Sequence, residues 1–413
     1  MAIETLLDRF LKYVKVDTQA VHDQKQIPSS PGQLELAKLV VEDLKNAGLQ
    51  DVKMTPEGYI YGTIPSNSPS KTPTLGFISH LDTAAECSGK NVKPQIINNY
   101  DGKDIPLKGN PELVLKVSEE PELKKCVGHT IITTDGTTLL GCDDKAGIAA
   151  LVEMAHYFKD HPDKPHGPIK IGIMPDEELG IGTEKLDLKE FGADFAYTVD
   201  GGSLGEIDTE SFNGYRGKVT VEGYAAFPGY GKGIYLNAAK VLSEFVAMMP
   251  ENIWPENCDG RQGIWWVDDF KGGTANAEMT VYLRDFDVEG IKEKEKILDG
   301  IKDKVLKKYP KAKINVNISE TYKNYRYELD KDKRVVEYAE EAMKRIGLTP
   351  AHHSVRGGND SCHLCFSGLL STNLFIGMQR MHSLKEWASL NVMEKAVETL
   401  VSLTNVWYEK STK

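Results

Sequence analysis

A short apolar segment that ends in three carboxylates constrains this chain more than any other feature. The segment runs from Ile169 to Met174, contains several β-branched residues and stops at a proline. Its length and composition predict a buried β-strand. Asp176, Glu177 and Glu178 follow at once, and like charges this close repel one another unless a cation or hydrogen-bond donors offset them. Taken alone, these carboxylates also fit a solvated turn, so the interpretation depends on the rest of the chain.

The same arrangement recurs in two other places. Residues 74–79 form an apolar run that is followed by His80 and Asp82, and residues 195–199 form one that is followed by Asp200. Alternate side chains of an extended segment lie on one face. Asp82 can therefore accept a hydrogen bond from one ring nitrogen of His80 and leave the other free for a metal. Considered alone, His80 and Asp82 fit a surface pair better than a metal site.

The order of the elements predicts where these side chains meet. Strands alternate with helical segments, which favours an α/β fold whose mixed, largely parallel sheet is flanked by helices. Ligands of such sheets bind outside the carboxyl ends of the strands. Asp143 opens a predicted buried helix, where a negative charge also favours the helix dipole. We expect one edge of the sheet to bring together four side chains that can bind a metal: His80, Asp143, Glu178 and Asp200.

The pattern changes after residue 210. From 211 to 323 the predicted order is β-α-β-β-α-β, the split βαβ arrangement of a small α+β domain. A helix at 331–346 then resumes the earlier pattern. We predict a larger domain made of residues 1–210 and 324–413, and an inserted smaller domain at 211–323.

Local signals give further expectations. The first 15 residues have the spacing of an amphipathic helix, and residues 87–126 are predicted to form an irregular, polar excursion over the surface. Asp135-Gly136, between two β-prone runs, predicts a hairpin. Cys362 and Cys365 are interpreted as packed thiols, because no second pair of cysteines completes a zinc site.

Composition excludes several classes of function. The net charge is -11 and no basic block offsets it, which argues against a nucleic-acid or anionic-membrane partner. No apolar run approaches the roughly 20 residues that span a bilayer. The amino terminus lacks a signal-peptide pattern, and six cysteines in so long a chain do not make a disulfide scaffold. These features predict a cytoplasmic protein.

Taken together, the motifs resemble those of the co-catalytic dinuclear zinc exopeptidases, the family that includes carboxypeptidase G and aminoacylase, and within it the aminotripeptidases. The resemblance covers nearly the whole chain and is carried by residues 76–83, 133–141, 143–147, 175–178, 197–202, 284–287 and 356–358. It implies a cytoplasmic metallo-aminopeptidase that removes the N-terminal residue from short peptides, tripeptides above all. It also implies that the small domain is of the lid or dimerisation type, and it allows a homodimer.

The resemblance implies two zinc ions per subunit and a role for each candidate residue. One ion would be held by His80, Asp143 and Asp200, and the other by Asp143, Glu178 and His382, with Asp143 as the bridge. Asp82 would orient His80, and Glu177 would act as general base towards the water that bridges the two metals.

Two arginines complete the implied site. Arg284 and Arg356 would grip the peptide backbone or its terminal carboxylate. Arg356 stands among glycines, which suits a guanidinium presented to a ligand carboxylate. A buried structural arginine would fit the same position.

The chain departs from the family pattern in the residues that would contact substrate. Phe227 stands where the family has a histidine before Pro-Gly, and that histidine helps to hold the carbonyl oxyanion, which phenylalanine cannot do. Trp266 and Thr280 also stand where histidines are expected, and the residues after His382 differ from the usual Gly-Lys-His-Glu.

Three alternatives therefore stay open. The first is a dipeptidase or an N-acyl-amino-acid amidohydrolase on the same fold. The second is a protein that retains metal and binds peptides without cleaving them, although a general base at Glu177 would serve no purpose there. The third is a magnesium-dependent phosphotransferase, against which His80 and His382 argue, because imidazole ligands favour zinc.

Overall fold

The computed structural model describes residues 4–412, which form two units. The first unit contains the described residues up to Thr209, the segment Glu328–His353 and the chain from Asn359 onwards. The second contains Glu210–Tyr327 and Ser354–Gly358. The predicted inserted domain, 211–323, lies inside the second unit, and its assignment as a functional domain stays a prediction.

An eight-stranded sheet lies at the centre of the first unit. Its strands, in spatial order, are Gln50–Met54, Ile60–Ile64, Ile169–Met174, Leu75–His80, Phe195–Gly201, Ser371–Phe375, Glu206–Ser211 and Ala351–Val355. Leu75–His80 pairs in parallel with Ile169–Met174 on one side and with Phe195–Gly201 on the other. The carboxyl ends of these three neighbours therefore meet at one edge of the sheet.

Helices accompany this sheet, as the alternating pattern predicts. They are Leu6–Tyr13, Pro31–Asn46, Pro121–Lys125, Cys142–Asp160, Leu188–Phe191, Arg334–Arg345, Asp360–Phe366 and Leu390–Ser411, and the short helix Arg326–Leu329 precedes Arg334–Arg345. Cys142–Asp160 packs against the sheet and is buried along most of its length, because its apolar residues surround the axis. The predicted fold class, a largely parallel α/β sheet with a smaller α+β part, is confirmed. The first three residues of the predicted N-terminal helix lie outside the described residues.

Residues 87–126 are more ordered than predicted. They contain the strands Gln95–Ile97, Ile105–Pro106 and Val114–Leu115 and the helix Pro121–Lys125. Tyr100, Leu107 and Leu123 bury their side chains together in a separate small core, to which the distant Trp387 contributes. The predicted irregular, polar path holds for most of this backbone. The small core was missed, because it forms from apolar residues whose spacing follows neither the strand nor the helix period.

The predicted hairpin at Asp135-Gly136 is also wrong. The strand before it, Ile131–Thr133, pairs with Gln95–Ile97 on one side and with Trp387–Ser389 on the other. Both edges are therefore occupied, and no position is left for a returning strand. The Asp135 carboxylate instead accepts the backbone N–H of Thr137 at 2.9 Å, which closes a local turn.

The second unit has the predicted β-α-β-β-α-β order. Its antiparallel sheet runs, in spatial order, Ile264–Gly272, Asn276–Asp285, Asn213–Glu222 and Lys313–Tyr322. The helices Ala238–Ala247 and Val288–Lys308 pack on this sheet and share its buried core, in which Val219, Phe245 and Leu298 lie. Within residues 4–412, no helix is both long and apolar enough to cross a bilayer.

Candidate metal centre

The carboxyl ends of the three central parallel strands supply most of the candidate ligands. His80 is the last residue of its strand, and Asp200 is the penultimate residue of another. Glu178 lies in the single turn Glu177–Leu179 that follows the third strand. Asp143 lies at the start of the helix behind the sheet, where the backbone departs from helical angles. The topology thus places all four at the edge that the sequence predicts.

Asp143 lies between the two histidines. Its Oδ1 is 2.9 Å from Nε2 of His80, and its Oδ2 is 3.3 Å from Nε2 of His382. The same nitrogen of His382 is 2.9 Å from Oε2 of Glu178, and Nε2 of His80 is 3.7 Å from Oδ1 of Asp200. The structure therefore brings together all five residues that the sequence selects as metal ligands.

Ligand atoms of two groups lie close enough together to hold an ion. One group is His80, Asp143 and Glu178, and the other is His80, Asp144 and Asp200, each with its ligand atoms within 4.8 Å of one another. Asp144 is an addition to the predicted set. Its two oxygens accept the backbone N–H groups of His80 at 3.3 Å and of Gly147 at 3.1 Å, so they are already engaged.

Two buried oxygens in this cluster lack a hydrogen-bond partner within residues 4–412. They are Oε1 of Glu178 and Oδ1 of Asp200. A buried carboxylate oxygen without a donor is costly, so such atoms indicate an unseen ligand or ion. Two imidazoles and several carboxylates are a donor set that suits zinc. The residues present therefore fit a pair of metal ions.

The electrostatics of the cluster point the same way. Burial raises the pKa of Asp200 well above its usual value, and the charge of Asp143 adds to the effect. Burial raises the pKa of Glu178 to about 7, again with a contribution from Asp143. Burial opposes the protonation of His382, but hydrogen bonds to Asp143 and Glu178 outweigh it and raise its pKa to about 11. Several carboxylates thus share a dry space, and a cation would relieve their repulsion.

Asp82 connects His80 to the acidic turn. Its backbone carbonyl lies 3.1 Å from Nδ1 of His80, and its Oδ1 lies 3.3 Å from the same nitrogen. Its carboxylate also accepts the backbone N–H groups of Glu177 at 3.0 Å and of Glu178 at 3.1 Å. Asp82 therefore contacts Nδ1 of His80, whose Nε2 faces Asp143, and binds the turn that carries both glutamates, while its orienting role stays a prediction.

Sequence reasoning missed several residues that hold this cluster in place. Asp176 has a positive φ of 55°, and its buried carboxylate accepts hydrogen bonds from Ser29 N at 2.7 Å and Gln33 Nε2 at 2.7 Å. Asn373 accepts the N–H of Asp200 at 3.0 Å and donates to its carbonyl at 2.9 Å. The position of Asp176 within the acidic triplet is a usable signal, whereas nothing in the sequence indicates Asn373.

The two arginines and Phe227 belong to the second unit. The guanidinium of Arg284 lies 5.0 Å from the ring centre of Tyr322 and 5.3 Å from that of Trp266. Arg356 donates to the carbonyl of Gln262 at 3.0 Å. Phe227 is 71% exposed. The role of both arginines in substrate binding stays a prediction.

Known proteins resemble this chain along almost its full length. Peptidase T of Clostridium perfringens strain 13 is 44% identical over 403 residues, which are 98% of this chain and 99% of that protein. Peptidase T of Geobacillus thermodenitrificans is 40% identical over 408 residues, 99% of each chain. The expected resemblance to the aminotripeptidases is confirmed, and with it the prediction of a hydrolase of the aminopeptidase class.

Solved structures share the fold. A crystal structure of an aminopeptidase PepT from Bacillus cereus covers 98% of both chains at a TM-score of 0.75 and 22% identity. A tripeptidase from Staphylococcus aureus covers 98% of both chains at a TM-score of 0.76 and 22% identity. The profile of peptidase family M20/M25/M40 matches residues 117–405. Since this match spans more than half of the sequence and the peptidase T relatives span nearly all of it, the chain belongs to peptidase family M20/M25/M40.

Proposed function

We propose that this peptidase is a two-zinc aminopeptidase that removes the N-terminal residue from tripeptides. One observation supports it above all: Asp143 directs one carboxylate oxygen to His80 and the other to His382. A carboxylate shared in this way is the natural bridge between two ions. The names of the relatives and the tripeptidase with the same fold support the choice of substrate.

The ligands divide between two positions. His80, Asp143 and Asp200 would hold one ion, and Asp143, Glu178 and His382 the other. When bound, the ions would supply a Lewis acid for the scissile carbonyl and lower the pKa of the attacking water. The unpartnered buried oxygens of Glu178 and Asp200 each gain a partner in this assignment.

Glu177 is the proposed general base. It accepts the proton of the attacking water and passes it to the departing amine. Burial, with a contribution from the carboxylate of Asp360, raises the pKa of Glu177 well above its usual value. A carboxyl group whose pKa lies closer to the working pH transfers protons in both directions more readily. Asp82 keeps this glutamate in place through the backbone N–H that it accepts.

Substrate binding and location complete the proposal. Arg284 and Arg356 would bind the peptide backbone or its carboxylate through charge-assisted hydrogen bonds. All six cysteines lie in the described chain and are free thiols, which supports a reducing cytoplasm. A homodimer is part of the proposal, and sedimentation of the purified protein tests it.

A substrate panel with metal analysis tests the proposal. The purified protein is assayed on di-, tri- and tetrapeptides with free and with acetylated amino termini, with zinc, cobalt or manganese added. We expect two ions per chain and fastest cleavage of tripeptides with a free amino terminus. Preference for acetylated substrates would identify an amidohydrolase instead, and full metal occupancy without cleavage would identify a peptide-binding protein.

A further inference from the structure

A carboxylate outside the predicted ligand set lies directly against the metal centre. Glu386 is 1% exposed and lies four residues after His382 in the sequence. Its Oε2 accepts the backbone N–H groups of Leu140 at 2.6 Å and Gly141 at 2.8 Å. Its Oε1 accepts those of Cys142 at 2.9 Å and Asp143 at 3.3 Å. One buried side chain thus collects the amides of four consecutive residues.

The shape of the receiving loop depends on this anion. A left-handed residue lets successive backbone N–H groups converge on one point, and such concavities bind anions. Gly141 supplies it with a φ of +80°. The carboxylate in turn needs these donors, since a buried charge without partners is costly. Glu386 and the loop therefore stabilise each other's conformation.

Glu386 acts on the metal centre through the backbone. Both of its oxygens are engaged by amide donors, and it belongs to neither candidate metal group within residues 4–412. One of the amides that it binds belongs to Asp143, the residue that faces both histidines. A shift of that amide would move the Asp143 carboxylate relative to His80 and His382 at once.

The same residue also anchors the loop that carries His382. The N–H of Glu386 donates to the carbonyl of Ser383 at 3.3 Å, and its carbonyl accepts the N–H of Thr134 at 3.2 Å. His382 itself has a left-handed backbone, with φ at 58°. Such a conformation persists in a non-glycine residue only when its surroundings hold it. Glu386 therefore links the two loops whose side chains meet 3.3 Å apart at Asp143 and His382.

We infer that Glu386 is a positioning residue of the metal centre, which sets the spacing of Asp143 and His382 and thereby the affinity for the metal ions. This inference rests on the proposed two-metal function. Partners that orient metal ligands typically contribute about 10- to 100-fold in metal affinity or activity. Loss of the Glu386 carboxylate should therefore weaken metal binding before it weakens folding.

The test is a cobalt titration of the metal-free protein. Glu386→Gln keeps the size of the side chain but turns an NH2 group towards the amide donors. We expect cobalt affinity to fall about 10- to 100-fold, with shifted visible absorption bands of the bound cobalt. At saturating metal, kcat should fall while KM changes little, because substrate contacts are untouched. Glu386→Asp keeps the charge at a shorter reach and should restore part of the affinity.

Asp43→Asn is the matched control. Asp43 is a buried carboxylate that accepts from Tyr13 Oη at 2.6 Å and pairs with Lys12 at 2.7 Å, away from the candidate ligands. Asp43→Asn should leave the cobalt affinity and the spectrum of the bound cobalt unchanged. Wild-type affinity and spectrum in folded Glu386→Gln would overturn the inference.

Two further outcomes are decisive. If Glu386→Gln does not fold, the cobalt titration is made on Glu386→Asp instead. If neither variant folds, Glu386 serves folding alone and the positioning role is rejected. Wild-type protein that binds no metal and cleaves no peptide would refute the proposed function together with this inference. If the wild-type protein binds metal and cleaves peptides, and the folded Glu386→Gln variant has the same cobalt affinity and spectrum, the positioning role alone is refuted.

Discussion

Nε2 of His382 lies 2.9 Å from Oε2 of Glu178, although nearly half of the chain separates the two residues. The same nitrogen lies 3.3 Å from Asp143. One imidazole nitrogen carries at most one proton, so it cannot donate fully to two carboxylates. The convergence is instead typical of ligands around a common ion, and the predictions below depend on it.

Asp143 and Asp144 are adjacent, yet their substitutions should differ. In Asp143 one carboxylate oxygen faces His80 and the other faces His382. Asp143→Asn removes the charge and replaces one of these oxygens with an NH2 group, so we expect loss of both metal ions and of activity. Asp144→Asn keeps one acceptor oxygen for the backbone N–H groups and should be milder. Metal analysis and peptide hydrolysis measure both. Full metal content and activity in Asp143→Asn would contradict its role as a bridge.

Glu177 and Glu178 should separate chemistry from metal binding. Glu177→Gln should keep both ions and lose roughly 100-fold or more in kcat, as expected for a general base. Glu178→Gln should first lower the occupancy of one metal position, because its carboxylate contacts His382. Metal content and kcat are measured for both variants. If Glu177→Gln lost metal and Glu178→Gln kept it with low kcat, the two assigned roles would have to be exchanged.

Phe227→His tests the departure from the family pattern. The side chain is 71% exposed, so the substitution should leave the stability of the second unit unchanged. A donor aimed at the oxyanion contributes about 100- to 1000-fold in turnover, so we expect kcat to rise more than KM falls. Steady-state kinetics on a tripeptide measure it. Unchanged or lower kcat in a folded, fully metallated variant would reject the oxyanion explanation.

Gly147 marks a close approach of the central helix to the sheet. A Cβ there would collide with the carbonyl of Val199 and the side chains of Asp144 and Ser79. Gly147→Ala should therefore destabilise the protein by about 1–3 kcal/mol. Gly300 lies in a helix of the second unit and has nothing within 4 Å of such a Cβ. Gly300→Ala should therefore raise the free energy of unfolding by roughly 0.5–1 kcal/mol. Calorimetry of the metal-free variants checks both, and shifts of equal sign would contradict the prediction.

His353 should make stability depend on pH. Its Nδ1 lies 2.7 Å from Oδ1 of Asp208, and this hydrogen bond raises the pKa of His353 above its usual value. Because the pKa is higher in the folded state, the stabilisation is complete below the unfolded pKa and disappears as the pH rises through the folded pKa. His353→Gln should therefore cost more stability near pH 5.5 than near pH 9. Urea unfolding at both values measures this, and an equal loss at the two would contradict it.

The sequence by itself determined the three central strands, the order of elements in the second unit and the candidate ligands. The runs before His80 and Asp200 and the run from Ile169 to Met174 are short and apolar, and a buried strand needs only this local property. Once the strands are parallel, the order of the chain places their polar ends at one edge. The five candidate ligands follow from that topology, together with the resemblance that selects His382.

Only the tertiary structure decided how these ligands are held. Glu386 and Asn373 bind backbone amides far away in the sequence, and such contacts leave no periodic pattern along the chain. The chain at Asp135 does not form the predicted hairpin, because strands remote in sequence pair with both edges of Ile131–Thr133. Local sequence sets the preference of a segment, but competition among distant segments for the same hydrogen bonds and buried space sets its final partners.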